Sequence, residues 1–258
     1  GKALMRRIGM LTSGGDCQSL NATMRGVAKS LYKMFDDIEI VGFEDGYKGL
    51  MYANYLMMKQ SDFSGVLTKG GTMLGTSRQP FKLMRVPDEN GLDKVELMKH
   101  TYYKLKLDAL VVLGGNGSQK TANLLSQEGL NVIGLPKTID NDLFGTDHCP
   151  GFASAAKYIA TSCMEIYQDA RVYDTGMVCV VEIMGRHAGW LAGAAGLATA
   201  MGAGPDLVYL PETDFDMKKF LADVKKIYDE KGNCLVAVSE GIHYADGSFV
   251  SEAKTSAT

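Results

Sequence analysis

The run VIGLPKTIDND ends an apolar stretch with Lys137, Thr138, Asp140 and Asp142. A cation, a hydroxyl and two carboxylates stand where an open α/β sheet keeps its ligands, at the carboxyl end of a strand. Phosphoryl transfer asks for donors that cradle phosphate, for cations or a metal that offset its charge, and for a carboxylate that takes the acceptor's proton. Asp140 is the candidate base: an unperturbed pKa of about 4 keeps it ionised at neutral pH. A base of this kind contributes roughly 100-fold or more when well placed. Asp142 is expected to point the same way, two residues on along an extended backbone, and to orient the hydroxyl or hold metal-bound water. For these four residues alone, an N-cap or an Asx-turn pair is an equally good reading.

Two further segments supply the other parts. IGMLTSGGDCQSLNA and LVVLGGNGSQKTANLL both read as strand, Gly-Gly turn, polar residue, helix. Each would aim backbone amides and a helix N-terminus at the same sheet edge, which suits phosphate oxygens. Neither has the spacing of a Walker loop or a dinucleotide fingerprint. One such turn is most simply a tight βα connection, but two beside an Asp pair point to a polyphosphate. Arg78, in GGTMLGTSRQPF, is suited to charge developing between donor and acceptor, although solvated loop arginines are common. In EIMGRHAGWLAG, Arg186 is expected just after a strand and at a helix start, where a guanidinium can fork onto a phosphate or a sugar hydroxyl. His187 beside it is given no proton-transfer role.

The elements that must position these groups are read from short apolar runs separated by helical stretches, the pattern of a mostly parallel α/β sheet. Strands are expected at RRIGMLTS, IEIVGF, ALVVLGG, NVIGLP, MVCVVEI, DLVYLP and CLVAVSE. A helix is expected from Phe152 to Ala170, with Phe152, Ala156, Ile159, Cys163, Ile166 and Ala170 on one core-facing stripe. Gly70 to Gly91 reads as a functional loop or insertion with little regular structure. The fold class is therefore α/β, with two Rossmann-like lobes, mostly parallel sheets and helices on both faces. With 258 residues, two lobes are favoured over one. The boundary is placed near Cys149 to Gly151, giving residues 1–150 and 151–258.

A net charge of −3 provides no basic field for nucleic acid. Five cysteines without zinc-like spacing fit a reducing compartment. The start GKALMRRIGMLTSGGD turns polar too soon for a secretory segment. The uncharged run Ala188 to Gly204, rich in Ala and Gly, is expected to be one tightly packed helix and not a membrane span. A cytoplasmic protein with no membrane partner is expected.

The segments LTSGGDCQSLNATMRGV, GGTMLGTSR, GGNGSQKTA, PKTIDND and MGRHAGW, in this order across nearly the whole chain, resemble the phosphofructokinases that use ATP or pyrophosphate. The resemblance implies transfer of a phosphoryl group to the 1-hydroxyl of fructose 6-phosphate with Mg²⁺. It also implies two α/β lobes, the first for the donor and the second for the sugar phosphate, and assembly into a homodimer or tetramer. Carried over by position, Asp140 is the proton acceptor, flanked by Thr138 and Asp142. Met184, Gly185, Arg186 and Glu240 contact the sugar phosphate, and Arg78 bridges the phosphates of the two substrates. Gly14, Gly115, Asn116, Gly117 and Ser118 line the donor site. The family's Gly-Gly-Asp metal motif reads Gly-Gly-Asn here, leaving Asn116 as the metal ligand. Ser19 occupies a position usually held by Gly, and Met177 one where bacterial tetramers commonly place an arginine. The family's His-x-Gln-Arg-Gly-Gly segment would lie beyond Thr258, so a truncated C-terminus is expected.

Two positions speak to the donor. Gly117 resembles the ATP users, because an Asp there would take the space and charge of the α-phosphate. Lys137 resembles the pyrophosphate users, in which it stabilises the transferring group. Occupied volume excludes a ligand outright, whereas a lysine only adds attraction, so ATP is expected. The alternatives are a pyrophosphate-dependent phosphotransferase and a noncatalytic regulatory subunit that binds sugar phosphate.

Overall fold

A computed structural model describes residues 5–252. The first four residues of the chain, and the six after Glu252 that bear on its expected truncation, lie outside the described residues. The chain divides into two compact units, Gly1–Thr138 and Ile139–Thr258.

The first unit opens with β1 (Arg6–Ser13) and α1 (Leu20–Met34), followed by β2 (Ile38–Phe43), α2 (Tyr47–Tyr52) and β3 (Tyr55–Met58). Next come α3 (Lys94–Lys104), β4 (Ala109–Gly114), α4 (Asn116–Gln127) and β5 (Val132–Pro136). The strands lie in the order β3-β2-β1-β4-β5. All pairings are parallel except that of β3 with β2. β4 reads ALVVLG and is buried at every residue, as a central parallel strand covered on both faces should be. β3 was not expected: its YLMM residues are largely exposed, so they show neither burial nor alternation. Leu20, Met24 and Ala28 form the buried stripe of α1, and fully buried Leu125 of α4 joins the core with Leu11, Val41, Leu110 and Val112. Truncating such a leucine to alanine costs about 2–5 kcal/mol. Between Gly70 and Gly91 the only regular element is a single helical turn, Phe81–Leu83.

In the second unit, α5 (Phe152–Asp169) leads to β6 (Met177–Ile183), then to α6 (Trp190–Ala194) and α7 (Gly196–Ala200). β7 (Leu207–Tyr209), α8 (Met217–Lys231) and β8 (Asn233–Ser239) complete it. The three strands run parallel in the order β6-β8-β7. Ala156 and Cys163 of the expected α5 stripe are buried, and Phe152 and Ile159 pack on the same cluster. The run from Ala188 to Gly204 is two short helices in place of the single one expected. At Ala195 the bonding tightens to three-residue closures, Ala195 N to Ala192 O and Ala198 N to Ala195 O, between Gly193 and Gly196. No helix among the described residues is long and apolar enough to cross a membrane.

The divide at Thr138 falls ahead of the boundary expected near Cys149 to Gly151. Ile139 packs on the second unit's core beside Ile183 and Leu191. Asn141 bonds onward to Asp147 and Cys149, which ties this connecting loop to the residues just before α5.

Candidate active site

In the first unit the sheet itself assembles the predicted groups. Ser13 is in register with Gly114, and Gly114 with Pro136, so β1, β4 and β5 end side by side. The chain runs outward from β1 in one direction through β2 and in the other through β4. The gap between the ends of β1 and β4 is therefore the switch point at which open α/β sheets bind ligands. Gly14, Gly115 and Lys137 each come directly after one of these ends. A Cβ on Gly14 would lie 3.7 Å from Ser118 Oγ, and one on Gly115 would lie 3.4 Å from the Lys137 carbonyl. Lys137 is buried, and its ammonium donates to the Gly15 carbonyl. It thereby ties the end of β5 to the turn after β1.

The helices at this edge differ from α3 and α8, though α2, α5, α6 and α7 share their lack of a side-chain cap. α3 and α8 are capped by Asp93 and Asp216, whose carboxylates each accept two backbone N–H groups. α1 and α4 have neither a side-chain cap nor an acidic residue in the first turn. The positive ends of these two helix dipoles therefore have no anion in their own first turn, although the Leu20 N–H of α1 donates to the Cys17 carbonyl at 3.3 Å. Asn116 and Gly117 are exposed on the first turn of α4, and a Cβ on Gly117 would meet no atom within 4 Å. Ser19, at the N-cap of α1, has φ −85°, a conformation that asks for no glycine.

Arg78 reaches this edge on a loop held by residues that the sequence did not single out. Thr12 Oγ1 lies 2.8 Å from Thr72 Oγ1 and donates to Gly75 O at 2.9 Å. Thr76 Oγ1 donates to Gly14 O at 2.6 Å. Asn21 Oδ1 accepts Met73 N–H at 2.8 Å. Tyr47, fully buried, donates its hydroxyl to the Ser118 carbonyl at 2.7 Å, and burial pushes its phenol well above the usual value. Arg78 itself is exposed.

In the second unit β6 and β8 also end in register, Ile183 opposite Ser239. Gly185 N–H donates to Glu240 Oε1 at 2.9 Å, and Ser239 Oγ donates to Gly185 O at 2.6 Å. The predicted Gly185 and Glu240 are thus in contact, with buried Ser239 as an unforeseen third member. Gly185 has φ +117°, and a Cβ there would sit 2.6 Å from Ala188 O, so the position requires glycine. Met184 is exposed and lines a cavity of about 260 Å³ together with Ile139 and Ile183, which brings the loop after β6 next to the segment of Asp140. Arg186 stacks over the Phe249 ring at 4.3 Å and pairs with Glu252 at 2.9 Å. It lies in a loop, not at a helix start, since α6 begins only at Trp190.

The Asp140–Asp142 segment is not extended. Asn141 takes φ +55°, so the chain turns between the two carboxylates, and the strand-like alternation that would have aligned them is absent. Asp140 is half-buried and Asp142 exposed. Burial, with the Asp142 charge as a lesser cause, raises the nearby Cys149 thiol above its usual pKa.

Among the described residues no group of three His, Cys, Asp or Glu side chains could hold a metal ion. Exposed Asn116 fits the different case of a Mg²⁺ carried by phosphates and waters, which needs only one or two protein oxygens.

Residues 7–257 match the family described as Phosphofructokinase. An ATP-dependent 6-phosphofructokinase of Spirochaeta thermophila is 44% identical over 96% of this chain and 67% of its own length. Another of that name, from Propionibacterium freudenreichii, is 42% identical over 91% of this chain and 61% of its own length. The crystal structure of a pyrophosphate-dependent phosphofructokinase from Nitrosospira multiformis superimposes with a TM-score of 0.82 at 30% identity, covering 94% of this chain and 62% of that one. The chain thus spans about two thirds or less of the length of these relatives. With its switch-point turns, its doubly wound sheet and these matches, the chain belongs to the phosphofructokinase family.

Proposed function

We propose that the protein carrying this chain is an ATP-dependent 6-phosphofructokinase. The observation that carries this reading is the pair of uncapped helices, α1 and α4, at one switch point, with open space at Gly117. Residues 1–138 form the donor lobe, and the second unit binds the sugar phosphate. The Asp140 carboxylate accepts the proton of the fructose 6-phosphate 1-hydroxyl as that oxygen attacks the γ-phosphorus of ATP. The bond to the bridging oxygen breaks, and ADP leaves with its electron pair. Thr138 and Asp142 orient the hydroxyl. Arg78, the α1 and α4 amides and Lys137 offset charge on the phosphates, which is the main catalytic demand of such a transfer. Gly14, Gly115, Gly117 and Ser118 let the polyphosphate approach the backbone. Met184, Gly185, Arg186 and Glu240 grip the sugar phosphate. Mg²⁺, when bound, neutralises phosphate charge, and Asn116 is the residue that offers it an oxygen.

Pyrophosphate as donor is the second reading, favoured by the buried ammonium of Lys137. The reading includes a cytoplasmic location, supported by the free thiols of all five cysteines. It also includes self-association, supported by exposed Tyr158, Trp190, Leu197 and Met201. A coupled assay on the full-length protein with ATP or pyrophosphate tests it. Turnover with ATP exceeding that with pyrophosphate is expected. Sugar-phosphate binding without turnover would instead indicate a regulatory subunit.

A further inference from the structure

The segment between the two carboxylates holds a residue to which sequence reasoning gave no role. Asn141 is buried, with 7% of its surface exposed, and both ends of its amide are used. Nδ2 donates to the Asp147 carbonyl at 3.0 Å, and Oδ1 accepts the Cys149 N–H at 2.8 Å. Both partners are main-chain groups, so one side chain closes the loop from residue 141 to residue 149. That loop has little burial of its own: Asp142, Phe144, Gly145, Asp147 and His148 are exposed. Asn141 also supplies the φ of +55° that turns the chain directly after Asp140. Asparagine is among the few residues with a side chain that adopt this conformation readily.

A glycine would satisfy the backbone alone, without fixing the loop. The amide adds two hydrogen bonds that hold the peptide between Asp140 and Asp142 in one orientation. Misplacing a reacting group by about 1 Å can cost roughly 100-fold in rate. We propose that Asn141 is a positioning residue that fixes the Asp140 carboxylate for proton transfer through its bonds to Asp147 and Cys149. This rests on the reaction proposed above.

Asn141→Gly keeps the left-handed backbone and deletes both bonds. Asn141→Asp keeps the acceptor for Cys149 N–H but replaces the donor by a carboxylate oxygen that faces the Asp147 carbonyl. In the full-length protein, Asn141→Gly is expected to lower kcat by about 100-fold, with KM for fructose 6-phosphate and for the donor within threefold of the parent. Asn141→Asp, which loses one bond and sets a carboxylate against that carbonyl, is also expected to lower kcat by more than twofold. A purely structural role would instead lower the melting temperature and the active fraction while leaving kcat per folded molecule unchanged. A folded Asn141→Gly protein with kcat within twofold of the parent overturns the proposal. If that variant does not fold, Asn141→Asp decides by the same twofold criterion. If the parent shows no turnover, the proposed reaction fails by itself. Hydrogen exchange at the Cys149 amide then tests the pin: faster exchange in Asn141→Gly supports it, and unchanged protection overturns it.

Discussion

Gly117→Asp separates donor exclusion from damage to the fold, because the two effects have opposite signs. Gly117 is the second residue of α4, it is exposed, and a Cβ there meets nothing within 4 Å. Replacing a helical glycine by aspartate gains about 0.3 kcal/mol in propensity. A carboxylate in a first turn that has no acidic residue adds about 0.3–1 kcal/mol through the helix dipole. The variant should therefore be more stable by about 0.5–1.5 kcal/mol, a rise in Tm of roughly 1–4 °C. The same carboxylate opposes a nucleotide's α-phosphate: two like charges about 5 Å apart repel by about 3 kcal/mol at an effective dielectric constant near 20. KM for ATP should then rise by roughly 100-fold or more, with pyrophosphate, as donor or as competing ligand, affected far less. Calorimetry and steady-state kinetics with both donors measure the two effects. A lowered Tm, or equal losses with ATP and pyrophosphate, would refute the reasoning.

Two further substitutions probe the second unit. Gly185→Ala meets the Ala188 carbonyl at 2.6 Å and must hold φ +117°, which costs about 1–3 kcal/mol; the variant should melt earlier and show a higher KM for fructose 6-phosphate than for ATP. Cys234 has its thiol pushed up to about 11, by burial first and by the Asp206 charge second. The folded state therefore keeps a proton that the unfolded thiol, with its usual value of 9.0, releases. Stability should be insensitive to this group below about pH 9 and fall between pH 9 and pH 11, a decline that Cys234→Ala should flatten in chemical denaturation series.

Most of the frame was legible because parallel strands buried on both faces announce themselves as apolar runs. β1 and β2 coincide with RRIGMLTS and IEIVGF; β6 coincides with MVCVVEI as an apolar run although Val178 and Val180 leave one of its faces exposed. β3 escaped because YLMM, although apolar, is only four residues long, too short for a run or an alternation to mark a strand. The helix expected across Ala188 to Gly204 broke because local glycines outweighed its apolar composition. At the site, residue type and order pointed to the turns, since two Gly-Gly turns after strands stand with an Asp pair, where one alone would read as an ordinary βα connection. The anchors Thr12, Asn21 and Ser239 stayed hidden because they bond to groups distant in sequence, and Asn141 because its nearby partners are main-chain groups; a hydroxyl or amide side chain carries no sign of where it will bond. The assumption that Asp140 and Asp142 would align failed for a local reason: the asparagine between them is a residue that tolerates a left-handed turn.

The central claim is that Asp140 takes a proton from a sugar hydroxyl while the two glycine turns hold the donor. The most direct test is turnover by Asp140→Asn in the full-length protein, an isosteric change that removes the base and leaves the cradle. The account predicts a fall in kcat of about 10²–10⁴-fold, with ATP affinity within threefold of the parent. Turnover within tenfold of the parent in a folded variant would contradict it.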